Sequence, residues 1–311
     1  MNTQAIVLNA PGSLDVRALA LNALGAADVL VDVAYAGVST GTERLLWTGR
    51  MPPFPGMGYP LVPGYESVGR IVDAGPEAVD RIGEYVFVPG ANCYADARGL
   101  FGGNASRLIL PAARATALPD SLREDGVLLA LAATARHAIA GGPAPDLIVG
   151  HGVLGRLLAR IVIAQGDAAP TVWETNSARH GGAHGYDVIH PDSDTRRDYR
   201  CICDASGAVG LLDTLIARLA RGGEVVLAGF YEEPVAFAFP PAFMREARIR
   251  VAAEWKPEDL AVTTTLIASG ALSLGGLITH RAPAHNARDA YPTAFEDAAC
   301  LKMVLDWSGV Q

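Results

Sequence analysis

The chain has 311 residues, half of them hydrophobic and 19% charged, with 34 glycines and 20 prolines. That is enough for about two domains with a core each, and it excludes disordered, collagen-like and low-complexity chains. The net charge is −8 with no Lys/Arg block, which argues against nucleic acid as a partner, because phosphate binding needs a basic footprint.

The opening run Ala5–Leu8 has no basic segment before it and stops at Pro11-Gly12, so no export signal is expected. The Ala/Leu-rich stretch 127–140 is broken by Arg136 and His137, well short of the ~20 apolar residues that a membrane span requires. Cytoplasmic residence is the expectation. Four cysteines are too few for a disulfide scaffold. Cys201 and Cys203 alternate with Ile202, which predicts a strand face carrying two small buried hydrophobes.

The first 120 residues read as β-rich, with strands at Ala5–Leu8, Val29–Val33, Ser67–Asp73 and Tyr85–Val88 between Gly, Pro and Asp punctuation. Residues 50–60 hold four prolines and no period, hence a loop. Ser121 with Glu124 three residues on suggests a capping box before a helix over 126–140. Strands and helices then alternate. Strands are expected at Asp146–Val149, Thr171–Glu174, Asp187–Ile189, Cys201–Asp204, Glu224–Ala228 and Ile249–Ala253, and helices at Val153–Gln165, Val209–Ala220 and Pro257–Ser269. Such alternation predicts a doubly wound parallel sheet, since parallel neighbours need crossover connections. The expected domains are 1–120 with 255–311 returning to it, and 121–254.

The most informative local pattern is Gly150-His151-Gly152-Val153-Leu154-Gly155. It follows an apolar strand and opens an apolar helix, as a dinucleotide-binding Rossmann turn requires. Gly150 makes the turn, Gly152 admits a pyrophosphate, and Gly155 lets helix and strand pack closely. The helix N–H groups then face the phosphates. The next strand ends at Glu174, 24 residues beyond Gly150. A carboxylate there accepts from the ribose hydroxyls and repels a 2′-phosphate, which selects NAD over NADP. Arg179 is the one residue that argues for a phosphate reader. His151 either donates to the pyrophosphate or is simply tolerated in the loop.

With these features the chain resembles the medium-chain dehydrogenase/reductase superfamily over almost its full length. The resemblance rests on Gly64-Tyr65-Glu66-Ser67-Val68-Gly69, on Asp204-Ala205-Ser206-Gly207, on Gly222–Phe230 and on the closing Ile278–Arg281 and Lys302–Trp307. It implies a GroES-like catalytic domain beside the Rossmann domain. It also implies that Thr134 and Leu154 pack around the nicotinamide, with Ser206, Gly229 and Phe230 at the ends of the later strands. Zinc-dependent members use Cys, His and Cys where this chain has, by alignment, Ser39, Tyr65 and Ala130. A hydroxyl, a phenol and a methyl group make no zinc site. The four-cysteine lobe of the family would fall near 90–105, where only Cys93 occurs. No zinc is expected.

The segments Gly37–Arg44, 54–66 and Trp173–Asn176 resemble the zinc-lacking branch that acts on bacteriochlorophyllides. That implies NAD-linked oxidation of a 3-(1-hydroxyethyl) group on a tetrapyrrole to 3-acetyl. Tyr65, at a former ligand position, is the first candidate for the base, helped by Arg44 or the oxidised coenzyme, with Ser39 as relay. Glu43 and Glu66 are the carboxylate alternatives, Glu66 equally readable as a buried structural partner. For the macrocycle, the 51–60 loop offers Phe54, Met57 and Tyr59, with Arg44 and Arg50 flanking it to meet a propionate; the alternative is a loop packed on its own aromatics. His137 reads as a satisfied interdomain histidine. A homodimer through the strand at Ile249–Ala253 follows from the resemblance. A zinc-free quinone or enone reductase and a non-catalytic nucleotide-binding protein are the competing readings.

Overall fold

The computed structural model describes residues 1–53 and 55–310. It divides into two compact units, Met1–Ala130 with Leu277–Gln311, and Leu131–Gly276.

The first unit opens with a hairpin of β1 (Asn2–Ala10) and β2 (Ser13–Ala20), turned at Gly12 with φ +70°. Next come β3 (Asp28–Val38), α1 (Thr42–Thr48), β4 (Leu61–Val62) and β5 (Ser67–Ala74), then β6 (Tyr85–Val88), β7 (Arg98–Gly99), β8 (Arg107–Pro111) and β9 (Thr116–Ala117). One sheet has the order β2-β1-β4-β7. Its inward face carries Ile6, Leu8 and Leu61, fully buried with Val31, Leu46, Ile71 and Leu108.

The second unit is entered through α2 (Leu129–Ile139). It continues with β10 (Leu147–Val149), α3 (Val153–Ala164), β11 (Thr171–Trp173), β12 (Asp187–Ile189), β13 (Tyr199–Asp204), α4 (Leu212–Arg218), β14 (Leu219–Leu227), α5 (Phe239–Arg245), β15 (Arg248–Val251) and α6 (Pro257–Ala268). The six strands pair in parallel in the order β12-β11-β10-β13-β14-β15. That order reverses direction beside β10, and the crevice at such a switch point is where open α/β sheets bind ligands. β10 is buried at all three residues, as a parallel strand covered on both faces must be. Cys201 and Cys203 are buried and unpaired, and burial pushes the Cys201 thiol up to about 12. They are packing residues.

The chain then returns to the first unit through β16 (His280–Pro283), α7 (Ala287–Glu296) and β17 (Met303–Asp306). β17 pairs antiparallel with β3, completing a sheet of order β16-β17-β3-β5-β6-β9 in which β8 also pairs with β3. The C-terminal return expected from the sequence is thus a pair of sheet strands with a helix between them.

The boundaries differ from the expected 120/121 and 254/255. Residues 120–128 form a 3-10 segment, not the start of a helix, and Ser121 makes no cap. That segment packs on the first unit: a Cβ on Gly126 would meet Leu118 and Val68 within 3 Å. At the other end α6 stays with the second unit because its buried Asp259 accepts from His137 Nδ1 at 2.8 Å. His137, read from sequence as an interdomain residue, is a partner within one unit. The helix expected over 209–220 is a 3-10 turn followed by α4, and β14 begins at Leu219.

Gly155 is the least replaceable point of the parallel sheet. A Cβ there would lie 1.8 Å from the Gly150 carbonyl oxygen, a backbone atom. Gly155→Ala should therefore lower the melting temperature, by a free energy of about 1–3 kcal/mol or more. A thermal melt matching the parent's would show that the turn relaxes freely.

Candidate active site

In the first unit the site is built where β3 ends. Ser39 follows the strand and its Oγ accepts from the Thr42 backbone N–H at 3.3 Å, tying the entry of α1. Tyr65 lies on the bend between β4 and β5, beside Gly64 at φ +97°, where a Cβ would meet Asn104 Nδ2 at 2.7 Å. The Ser39 and Tyr65 hydroxyls share a hydrogen bond of 2.7 Å. The Thr42 hydroxyl is a further partner of the phenol, and Phe101 packs edge-on against its ring at 5.4 Å. Three hydroxyls thus converge, two of them, Ser39 and Tyr65, at positions that the resemblance aligns with metal ligands of zinc-dependent members. Among the described residues no group of three or more His, Cys, Asp or Glu side chains is placed to hold a metal. Hard, protonated oxygens of this kind do not fit zinc.

Tyr65 is expected as the base, helped by Arg44 or by the oxidised coenzyme. Arg44 is exposed on α1, and burial, with the carboxylates of Glu66 and Glu43, pushes the pKa of the phenol up. The chain's own groups therefore favour the neutral phenol.

The carboxylate alternatives, Glu43 and Glu66, are both buried. Glu43 Oε1 accepts from the Ser39 backbone N–H at 3.0 Å, and its Oε2 accepts from the Tyr291 hydroxyl at 2.6 Å and from Asn104 Nδ2 at 3.1 Å. Glu66 Oε2 accepts from Lys302 Nζ at 2.6 Å, and the same ammonium donates to the Val38 carbonyl at 3.3 Å. Gly37 is obligatory beside this pair, since a Cβ would lie 2.2 Å from Glu66 Oε2. Thr42, Asn104, Tyr291 and Lys302 are functional neighbours that sequence reasoning missed. Only the family-like spacing of the C-terminal return pointed toward Lys302.

The expected substrate residues divide. Arg44 and Arg50 are exposed, with Arg50 Nε donating to the Thr48 hydroxyl at 3.3 Å. Met57 and Tyr59 are half-buried against the core of the first unit, and the Tyr59 hydroxyl donates to the Leu46 carbonyl at 2.5 Å. That part of the loop is packed on the unit's core and on α1. Phe54 lies outside the described residues.

In the second unit the strand ends meet as a coenzyme site requires. Gly150 has φ +98° and its N–H donates to the Trp173 carbonyl at 2.8 Å. A Cβ on Gly152 would meet no atom within 4 Å, so the backbone there is open to a ligand. Val153 and Leu154 begin α3, and Thr134 sits half-buried on α2. Glu174 presents a fixed carboxylate: Oε2 accepts from the His151 backbone N–H at 3.0 Å and Oε1 from the Asn176 N–H at 2.8 Å. At the end of β13 the Ser206 hydroxyl donates to Asp204 Oδ1 at 2.6 Å, while the Tyr231 hydroxyl donates to Oδ2 at 2.8 Å. A Cβ on Gly229 would lie 2.7 Å from the Gly207 nitrogen, and Phe230 is half-exposed beside it. Arg179 follows Glu174 on the same loop, half-buried. The His151 side chain, read from the sequence as either a pyrophosphate donor or a tolerated loop residue, is buried, with both ring nitrogens engaged inside.

Desolvation raises the Glu43 carboxyl to about 7, opposed by its Tyr291 and Ser39 hydrogen bonds. Because the folded pKa lies above the unfolded one, the folded chain holds this proton where the unfolded chain has released it. The contribution is fully present below the ordinary carboxyl range and is lost as pH rises through about 7. Urea unfolding should show stability falling between about pH 5 and about pH 8, by up to about 3 kcal/mol from this group. Glu43→Gln should flatten that slope; an unchanged slope would assign it elsewhere.

Comparison with known proteins places this geometry. Residues 25–120 match the alcohol dehydrogenase GroES-like domain. The chain is 59% identical to the 2-desacetyl-2-hydroxyethyl bacteriochlorophyllide A dehydrogenase of Rhodobacter capsulatus, covering 99% of both chains. It is 58% identical to the protein of the same name from Cereibacter sphaeroides, again over 99% of each. The fold is shared with an Escherichia coli alcohol dehydrogenase solved with NADH, at a TM-score of 0.85, 20% identity and coverage of 98% and 99%. It is also shared with a Sinorhizobium meliloti dehydrogenase solved with NADP, at 0.81, 21% and the same coverage. Full-length identity at this level, on a GroES-like unit joined to a doubly wound one, makes the chain a member of the bacteriochlorophyllide a dehydrogenase family within the medium-chain dehydrogenases.

Proposed function

We propose that the chain oxidises the 3-(1-hydroxyethyl) side chain of a bacteriochlorophyllide or chlorophyllide to 3-acetyl, with NAD as acceptor and without zinc. The observation that carries the substrate is the 59% identity over 99% of both chains to a dehydrogenase named for that pigment. NAD is supported by Glu174, whose carboxylate stands where a ribose diol donates and a 2′-phosphate is repelled. Zinc independence is supported by the donor set of Ser39, Thr42 and Tyr65.

Bound NAD supplies the hydride acceptor. The Tyr65 phenol, uncharged and anchored by Ser39 and Thr42, hydrogen-bonds the carbinol oxygen and holds the hydroxyl geometry. The proton released as the ketone forms passes from the carbinol oxygen through this hydroxyl cluster to solvent water. The substrate offsets the missing Lewis acid, because positive character at a carbinol carbon attached to a macrocycle delocalises into the ring. Arg44 and Arg50 meet the propionate carboxylate, a role supported by their exposure and by the fit of a guanidinium to a carboxylate.

The reading includes a homodimer. The edge strand β15 leaves one side unpaired, with Val251 76% exposed, and Phe239, Phe243 and Met244 of the neighbouring α5 are exposed as well. An open apolar edge of this kind invites pairing with a second copy. It also includes cytoplasmic residence, supported by four unpaired cysteines and by the absence, among the described residues, of a helix long and apolar enough to cross a membrane.

An absorbance time course with NAD and the hydroxyethyl pigment tests the reaction. The long-wavelength band should shift to the red as the carbonyl extends conjugation, with the purified protein free of stoichiometric zinc. Tyr65→Phe should lower kcat by about 10²-fold, the lower range for a positioned proton-transfer group. No turnover would leave a non-catalytic nucleotide-binding protein, and turnover restricted to quinones or enones would make it a reductase. Sedimentation equilibrium should give twice the 32.5 kDa chain mass, and Val251→Lys should yield the monomer.

A further inference from the structure

The second position of the glycine turn carries a histidine whose ring points inward. His151 Nδ1 lies 2.6 Å from the Arg179 carbonyl oxygen. A carbonyl only accepts, so Nδ1 carries the proton. Nε2 then accepts from the Tyr186 hydroxyl at 2.9 Å, and the two rings meet edge-on at 5.6 Å. One turn along α3, the buried Arg156 reaches the same loop. Its Nε donates to the His151 carbonyl at 3.0 Å, and its Nη2 donates to the carbonyls of Arg179 at 3.0 Å and Gly181 at 2.8 Å. The Arg179 carbonyl is therefore held by two donors at once. The backbone at Gly182, with φ +78°, lies against the guanidinium so closely that a Cβ would sit 2.4 Å from Nη1.

Between these anchors runs the segment that reads the ribose. Glu174 gives one carboxylate oxygen to each of two backbone amides, its own carbonyl accepts from His180 Nε2 at 2.9 Å, and Asn176 Oδ1 accepts from the Ala178 N–H at 3.0 Å. With both oxygens held, the carboxylate has no free rotation by which to step aside. A coenzyme carrying a 2′-phosphate would have to set its charge beside that fixed anion, a like-charge contact in a partly buried site.

We propose that the His151 imidazole and the Arg156 guanidinium are positioning residues. Together they form a buried latch that clamps the 174–182 loop to the glycine turn and so keeps the site selective for a dinucleotide with an unphosphorylated adenosine ribose. The proposal rests on the NAD-linked reading given above. Without the latch the loop opens, Glu174 turns outward, and Arg179 becomes available to a 2′-phosphate.

Dissociation constants for NADH and NADPH, measured by nucleotide fluorescence, test this alongside KM for both oxidised forms. The parent should prefer the NAD forms. His151→Ala and Arg156→Met should each weaken NADH binding about tenfold and narrow the NADH-over-NADPH preference by a similar factor, the size expected for losing hydrogen bonds to a buried polar group. His151→Asn, whose Nδ2 replaces the Nδ1 donor to the Arg179 carbonyl, should remain within about threefold of the parent. Alanine and methionine variants that keep the parent preference, or an asparagine variant that behaves like the alanine one, would overturn the latch while leaving NAD use intact. A parent that binds neither nucleotide, or prefers NADPH, would overturn the coenzyme reading and the latch with it. Should His151→Ala fail to fold, the ring tautomer decides: ¹⁵N spectra of the parent should show Nδ1 protonated and Nε2 bare, and the opposite tautomer would exclude the bond to Arg179.

Discussion

A carboxylate taken out of water costs several kcal/mol unless a counter-charge or several donors meet it. The first unit holds two such groups almost side by side. Glu66 is answered by the Lys302 ammonium, and Glu43 by a backbone amide, a tyrosine hydroxyl and an asparagine amide. Two of those partners, Tyr291 and Lys302, arrive only with the C-terminal return. The discontinuity of the unit therefore has an electrostatic reason: the segment that closes the sheet beside β3 also delivers the charge that answers the buried Glu66 just before β5. Ser39 and Tyr65 hold their positions because this layer is fixed behind them.

The second unit solves the same problem with the backbone. Glu174 is held by two amides, while Arg156 and Arg160 are solvated mainly by carbonyls, Arg160 donating to those of Ser273 at 2.9 Å and Gly275 at 3.0 Å. Burial lowers the pKa of both guanidinium groups, yet arginine stays charged at any pH a protein survives. Two permanent positive charges behind a glycine turn favour an anion on its open side, adding to the helix N–H groups. His151 contributes none of that charge, since burial and the neighbouring arginines bring its pKa down to about 4. Its value to the turn is geometric.

What the sequence disclosed was local. The glycine triplet, Glu174 at the end of the next strand and the alternating Cys201–Cys203 pair are each set by residues a few positions apart, so their geometry could be read directly. The buried charges could not be read this way. Glu66 and Lys302 are 236 positions apart and Glu43 and Tyr291 are 248 apart, and nothing in either neighbourhood marks the partner. His151 escaped for a related reason: a histidine in a turn looks solvent-facing until the Arg179 carbonyl, 28 residues away, is seen to orient it. α7 was hidden by Pro292 inside it, which breaks the expected helical texture, and Ser121 offered a cap to a segment that tertiary packing holds as a 3-10 turn.

Hydroxyls at Ser39 and Tyr65, where the resemblance puts the soft ligands of zinc-dependent members, have electrostatic consequences of their own. A thiolate–imidazole site needs deprotonated ligands, and a carboxylate behind it would be balanced by the metal. With Ser39 and Tyr65 in those places the carboxylate of Glu66 depends on the Lys302 ammonium for its balance. Burial and the two glutamates already raise the Tyr65 pKa, and this is tolerable only for a group working as a neutral hydrogen-bond partner. A phenolate base would need a cation beside it, which the oxidised coenzyme, and not the chain's own carboxylates, could supply. The hydroxyl cluster is therefore suited to an alcohol that needs orientation and a route for its proton more than it needs ionisation. A carbinol joined to a conjugated macrocycle is such an alcohol, because its ring stabilises the charge that a zinc ion would otherwise have to meet.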